Sequence, residues 1–176
     1  AGIGRVVASL ADPNPLVAGR GFERLRAAGV DVQIGPGAEQ ARELNIGFFS
    51  RMVRGRPWAR LKAATSLDGQ TALSNGASQW ITSAQARADG HAWRARACAV
   101  LTGVGTVLAD DPLLDVRLVD SPRQPHLVIV DSQLRTPANA RLFGPERTVL
   151  IYTTTRQPER QQALEQAGAL VIQVAP

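Results

Sequence analysis

Cysteine is nearly absent from these 176 residues: Cys98 stands alone, so no internal disulfide forms and no cysteine-rich zinc site can be assembled. Histidine is almost as scarce. His91 and His126 are the only two, and neither gives an H-E-x-x-H or other paired-ligand spacing. No G-x-S-x-G elbow occurs either, so the pattern gives no support to a hydrolase or a zinc enzyme, and we expect no metal site in this chain. Long apolar runs are missing as well. No stretch approaches the roughly 20 residues that span a bilayer, and the start, AGIGRVVASLADPNP, lacks the regions of a signal peptide. The expectation is a cytoplasmic protein with no membrane partner. Lysine is rarer than histidine: of 20 basic residues only Lys62 is a lysine.

Hydrophobic residues make up 44% and charged residues 20%, which is soluble globular usage and far from the composition of a disordered chain. The length suits one domain, or one domain and part of another. The net charge is +5 and the sequence pI about 10.9. A balance of this kind can serve nucleic acid, but the arginines are scattered rather than run together. Scattered arginines suit a small phosphorylated ligand equally well, because a guanidinium grips a phosphate through two parallel donors. Cys98 falls in the apolar run ACAVLTG and is expected to be a buried strand residue.

Along the chain, Arg5–Ser9 reads as a strand, 18–28 as a helix and Val30–Ile34 as a second strand. This is a β-α-β fragment with too little apolar surface to close its own core. Gly35-Pro36-Gly37 ends it. A helix follows from about Ala38 to Arg54, with Leu44, Phe48 and Met52 at helical spacing, and the domain boundary is expected on this helix near Asn45. Ala59–Ala64 is a strand candidate, and Asp68-Gly69 is a turn because glycine tolerates positive φ. Thr82 and Gln85 predict a capping box for a helix running to Arg96, with a strand at Ala97–Thr102 directly after. Leu127–Val130 and Val149–Tyr152 read as buried strands, Pro158 opens a helix to about Ala167, and Ala169–Val174 reads as one more strand. Strands alternating with helices predict an α/β domain with a mostly parallel sheet.

Candidate chemistry gathers at Thr102–Pro112, where Gly103 and Gly105 follow a strand and open a short helix whose backbone amides could face a phosphate. The stretch lacks the third glycine of the dinucleotide fingerprint, so an ordinary strand-to-helix turn explains it equally well. Asp110 and Asp111 are paired carboxylates that could orient a sugar hydroxyl or relay a proton, or could simply end the helix before Pro112. Arg94 and Arg117 are candidate phosphate ligands, each of which alone reads as a surface residue. Trp80, in a loop before a helix, could wall off a ring or pack at a boundary. Ser78 and Ser132 are hydroxyls in predicted loops.

Several segments occur together in one order: Asp12–Gly21, Ala28–Val32, Leu61-Lys62 with Ala64–Gly69, Ser78–Thr82, Thr106–Pro112 through Leu114 to Arg117, and Val130–Ser132. In this order the chain resembles the bifunctional deaminase/reductase family of riboflavin biosynthesis, over nearly its whole length. The resemblance implies a dihydrofolate-reductase-like α/β domain at 46–176, with its C-terminal end missing. Ahead of it, 1–45 would be the tail of a cytidine-deaminase-like α/β domain. It further implies that NADPH delivers a hydride to the ribose C1′ of a 5-phosphoribosylamino-pyrimidinedione, giving the ribitylamino product. Carried over by position, Ala64, Trp80, Thr106, Asp110 and Ser132 match cofactor-contacting residues, while Ser78, Arg94, Leu114 and Arg117 match substrate-contacting ones. Lys62 would help to read the pyrimidine, and Asp110 is the expected catalytic residue, orienting the sugar or relaying a proton through water.

Two departures stand out. The H-x-E and P-C-x-x-C zinc signature of the deaminase is absent, so zinc is expected only in a longer parent protein. The glycine loop that the family places on the cofactor phosphates is also absent, which puts cofactor affinity in doubt. Family membership implies a homo-oligomer through the reductase domain and a small-molecule substrate rather than nucleic acid. Two other readings stay open from sequence: an NADPH-dependent reductase of the same fold acting on folate-like substrates, and a non-catalytic nucleotide- or nucleic-acid-binding module.

Overall fold

The structure, a computed structural model, describes residues 2–175. The described residues form two compact units, divided between Leu61 and Lys62.

In the first unit, β1 (Arg5–Ala8) pairs in parallel with β2 (Asp31–Ile34), Arg5 lying opposite Asp31, and α1 (Arg20–Ala27) connects them. Two further helices follow, α2 (Ala38–Leu44) and α3 (Ile46–Arg54), where sequence periodicity predicts one. The break falls at Asn45, whose φ of −112° leaves the helix while its amide Nδ2 donates to the Ala41 carbonyl at 2.9 Å. A short amide side chain competes with the backbone for nearby carbonyls, and here it shares the Ala41 carbonyl with the Asn45 N–H, which donates to it at 3.2 Å. Among the described residues of this unit no apolar side chain is buried. Only Ser50 is, its hydroxyl donating to the Arg56 carbonyl at 2.9 Å. The expectation that this fragment cannot close its own core is met.

Residues 59–64 form no strand: no strand pairs with them among the described residues, and Leu61 is 93% exposed. A strand needs a partner, and local sequence supplies none. The Asp68-Gly69 turn forms as expected. Gly69 has φ +83° and donates to the Ser66 carbonyl at 3.0 Å, and the Ser66 hydroxyl donates to the Asp68 carboxylate at 2.5 Å. That donor, chiefly, holds the Asp68 carboxyl below the ordinary carboxylate range. α4 (Ala84–Arg96) is capped by Ser83 rather than Thr82. The Ser83 Oγ accepts the Ala86 N–H at 3.2 Å, one residue later than the predicted capping box.

The rest of the second unit is a four-stranded, all-parallel sheet in the order β3 (Ala99–Gly103), β4 (His126–Val130), β5 (Val149–Thr153), β6 (Ala169–Gln173). α5 (Val104–Asp110) follows β3, and α6 (Pro158–Gln166) joins β5 to β6. Pro158 sits in the first turn of α6, where its missing N–H has no intrahelical acceptor to lose. Along β4 and β5 the side chains alternate, so Leu127, Ile129, Val149 and Ile151 all turn to one face and are at most 2% exposed. Val104 and Val107 of α5, Leu164 of α6, and Leu142 of a short 3₁₀ turn at Arg141–Phe143 close over that face. Burial of apolar surface at about 25 cal/mol per Å² makes this face the main stabilising feature of the unit. Cys98 is exposed, contrary to expectation. It lies just ahead of β3, an edge strand whose residues Ala99 and Leu101 also face outward.

Candidate functional site

Because all four strands run the same way, their carboxyl ends share one edge of the sheet, the edge at which α/β sheets bind ligands. α5 leaves β3 at that edge with no intervening loop. Val104 and Val107 turn into the core, which leaves Thr106 and Asp110, four residues apart and so on one helical face, exposed to solvent. A Cβ built on Gly103 or Gly105 meets no atom within 4 Å. The protein itself therefore does not demand glycine there, and the surface above them is open.

Ser132 stands two residues beyond β4 on the same edge, exposed, on a tightly built turn. Asp131 is fully buried, and its Oδ2 accepts both the N–H and the hydroxyl of Thr136 at 2.7 Å. Leu134 closes the turn at φ +53°. The hydroxyls of Thr153 and Thr154, at the end of β5, donate to the Ser132 carbonyl at 3.1 and 3.2 Å. Thr106 and Asp110, on the helix that follows β3, and Ser132, beyond the neighbouring β4, thus all come after the carboxyl ends of adjacent strands. The two acids of the Asp-Asp pair separate in role. Asp111 takes φ +39°, ends α5 and accepts the Arg141 N–H at 2.9 Å, whereas Asp110 remains on the exposed helical face.

α5 runs directly into the loop Pro112–Arg117, which is gripped from behind. Leu114, at φ +52°, packs against the core. Arg147, just before β5, donates through Nη1 to the Leu114 carbonyl at 2.6 Å and through Nη2 to the carbonyls of Leu113 and, at 3.1 Å, Leu142. The Gln124 amide brackets Val116, accepting its N–H at 2.7 Å and donating to its carbonyl at 2.8 Å. Arg94, in the last turn of α4, donates to the Asp115 carbonyl, and Arg117 pairs with the Asp115 carboxylate. Arg94 and Arg117 therefore converge on Asp115. Burial lowers the Arg94 pKa, the neighbouring charge of Arg117 lowers it further, and Asp115 opposes both. Two guanidiniums held this close are a ready site for a multiply charged anion.

His91 also reaches this loop. It is 5% exposed, and its Nδ1 accepts the Arg117 N–H at 3.2 Å. Burial first, then Arg94 and Arg117, push its pKa below the ordinary imidazole value, against Asp115. Sequence reasoning missed His91, Gln124 and Arg147. The one legible signal was the placement of His91 three residues before Arg94, on the same helical face.

Of the remaining predicted positions, Lys62 is exposed, with its Cε the nearest group to a Cβ built on Gly90 of α4. Ala64 and Ser78 are half-buried, and Trp80 is exposed with the Arg87 guanidinium 4.4 Å from its ring centre. Among the described residues, no hydrogen bond joins Lys62, Ser78 or Trp80 to the arginine pair or to Asp110. Two shallow hollows of this unit lie elsewhere, one against α6 and Gln173 and one between Leu108 and α6, and neither is lined by a predicted site residue. Among the described residues no cluster of three or more metal-ligating side chains forms, and no helix is long and apolar enough to cross a membrane.

The second unit is thus an α/β domain whose parallel sheet presents hydroxyl and carboxylate side chains at its carboxyl edge, continuous with an arginine-lined loop. The family model described as the RibD C-terminal domain matches residues 57–176, and the chain belongs to that family. It is 43% identical over 171 residues to the riboflavin biosynthesis protein RibD of Aquifex aeolicus, covering 97% of this chain and 48% of that protein. Against the RibD of Escherichia coli it is 46% identical over 158 residues, covering 90% and 43%. The chain spans less than half the length of these relatives. Among solved structures it is similar to RibD of Acinetobacter baumannii, with a TM-score of 0.84 at 40% identity over 98% of this chain and 49% of that one. It is also similar to the Thermotoga maritima diaminohydroxyphosphoribosylaminopyrimidine deaminase/5-amino-6-(5-phosphoribosylamino)uracil reductase, with a TM-score of 0.81 at 33% identity over 97% and 54%. The expected fold, a mostly parallel sheet flanked by helices, is the one observed.

Proposed function

We propose that the second unit is an NADPH-dependent reductase of riboflavin biosynthesis that reduces the ribose of 5-amino-6-(5-phosphoribosylamino)uracil to the ribitylamino product. One observation carries this reading: Arg94 and Arg117 converge on a braced loop that continues directly from the helix bearing Thr106 and Asp110. A sugar phosphate held by the arginines lies within reach of that helix, which at 1.5 Å per residue is only about 10 Å long.

Ala64, Trp80, Thr106, Asp110 and Ser132 are the proposed cofactor contacts. The open, polar sheet edge carrying Thr106, Asp110 and Ser132 fits a nucleotide, with room over Gly103 and Gly105. When bound, NADPH supplies the hydride that the sugar C1′ accepts. The residues of the chain do the positioning. Arg94 and Arg117 anchor the 5-phosphate, Lys62 and Ser78 contact the pyrimidine end, and the Leu114 turn sets the distance between them. Asp110 orients the sugar or holds a water that moves the proton. Fixing the reacting carbon in this way provides much of the rate, since orientation alone is worth roughly 7–11 kcal/mol in favourable cases.

Residues 1–45 read best as the tail of a deaminase domain, with its zinc chemistry in a part of the longer protein outside this sequence. The boundary we propose lies near Asn45, at the break between α2 and α3, so that α3 goes with the reductase in sequence although the compact units divide between Leu61 and Lys62. The partners that fit are the phosphoribosylaminopyrimidine and a second copy of the reductase unit, in the cytoplasm, rather than nucleic acid.

Calorimetric titration with NADPH and NADH tests the proposal. Expected is binding that prefers NADPH and is weakened by Asp110→Ala, with Arg94→Ala weakening ribose 5-phosphate instead. A folded chain that binds neither nucleotide, or one that binds polyanions with a steep salt dependence and indifference to NADPH, refutes it.

A further inference from the structure

We infer that His91 is a positioning residue for the phosphate site, and that it acts only while its ring is neutral. The inference rests on the proposed role of Arg94 and Arg117 as phosphate ligands. His91 and Arg94 lie three residues apart on α4, so one helical turn supplies two grips on the same loop. The ring accepts the Arg117 N–H at 3.2 Å, and the Arg94 guanidinium donates to the Asp115 carbonyl. The main chain of 115–117 is therefore fixed from α4 at both a donor and an acceptor. The guanidinium of Arg117 is held differently. Its ion pair with Asp115 leaves the arginine side chain 48% exposed. The Asp115 carboxylate is only 13% exposed, but the guanidinium faces solvent, so a phosphate dianion can reach Arg117 and compete with Asp115 for it without moving the backbone beneath. His91 thus sets where Arg117 emerges, and Arg117 provides the grip.

The ring must be neutral because both nitrogens of an imidazolium are donors, which leaves the Arg117 N–H without an acceptor. The charged groups facing the ring are Arg94 from its own helix and Arg117 and Asp115 from the loop. A protonated His91 would stand beside two cations with one carboxylate to balance three charges. Its burial and those arginines favour the neutral form, which is the form that holds the loop.

The experiment uses the 176-residue chain and ribose 5-phosphate, followed by calorimetry at pH 8, where the phosphate is a dianion. His91→Asn places an amide oxygen where Nδ1 now accepts, and His91→Phe removes the acceptor. Expected is a roughly tenfold loss of affinity in His91→Phe, the equivalent of about one hydrogen bond, and a loss of about threefold or less in His91→Asn. A merely structural histidine would not be rescued by asparagine. A second arm stands even if His91→Phe fails to fold: ribose 5-sulfate keeps its charge across the range, so its binding from pH 8 to 5 reports the protein alone. Wild-type affinity is expected to fall with acid, and His91→Asn affinity to stay level. Sulfate binding that rises with acid in the wild type, or a folded His91→Phe that binds the phosphate as the wild type does, overturns the inference and leaves the phosphate site standing. A wild-type chain that ignores ribose 5-phosphate, unchanged by Arg94→Ala, removes the site and this inference with it.

Discussion

Replacing Arg147 by methionine tests whether the Pro112–Arg117 loop is held in its conformation or merely rests there. The methionine keeps most of the apolar stem and deletes the guanidinium. That group makes three bonds to main-chain carbonyls, at Leu113, Leu114 and Leu142, from a half-buried position anchored beside β5. Against those bonds stands a backbone with non-glycine residues at φ +39° and +52°, Asp111 and Leu114, each costing on the order of 1 kcal/mol. A hydrogen bond from a charged donor contributes about 1.5–3 kcal/mol, but water recovers part of each when the loop relaxes. The net loss works out at about 3 kcal/mol, or roughly 10 °C in Tm for a unit of this size. Arg147→Lys, which keeps a donor but not the fork, is expected to lose about half as much. Urea denaturation followed by circular dichroism gives the free energies, and backbone amide shifts at 113–117 show whether the loop moves. A midpoint unchanged within about 0.5 kcal/mol, with those shifts in place, would refute the idea that Arg147 holds the turn.

Four further substitutions probe other parts of the structure. Ile129→Ala opens a cavity at a fully buried position on the core face and is expected to cost about 2–5 kcal/mol in the same urea assay. Ser83→Ala removes the side-chain cap of α4 and is expected to cost about 1 kcal/mol, whereas Thr82→Ala costs less than about 0.5 kcal/mol; equal losses at both sites would contradict the observed cap. His91 has its pKa lowered on folding, so between the folded and unfolded values the unfolded chain holds more protons and stability rises with pH. Its contribution is fully present above the unfolded value near 6.5 and is lost as pH falls through the folded value. Urea midpoints at pH 7.5 and 5.0 are expected to converge in His91→Asn relative to the parent.

The parts of the fold that were legible are those fixed by local pattern and burial together. β4, β5 and β6 start and stop within one residue of expectation because each is a short apolar, β-branched run between breakers, and in β4 and β5 one face of that run is buried. The misreadings share a cause, namely competition decided beyond the local pattern. Ala59–Ala64 has strand composition but, among the described residues, no strand beside it. Thr82 and Ser83 are both good caps, and only the helix geometry selects the second. Cys98 follows the rule for cysteine burial only if its strand is central, and β3 is at the sheet edge.

The site divides along a similar line. Asp110 was visible as one of two paired carboxylates before Pro112, whereas Thr106 and Ser132 were singled out only by the family resemblance, because a lone hydroxyl carries little signal of its own. Arg94 and Arg117 were separate weak signals until the structure brought both to Asp115. His91, Gln124 and Arg147 were invisible for a physical reason: each bonds to main chain, and a main-chain group leaves no trace in the identity of the residue that offers it. The carbonyl of Leu113 serves Arg147 whatever side chain sits above it. The burden of holding the loop therefore falls on the donor, and substitutions of Leu113 that keep its bulk should be tolerated where substitutions of Arg147 are not. Side chains that meet ligands and side chains that brace backbone thus carry different signatures, and here the second kind determines whether the first kind is in place.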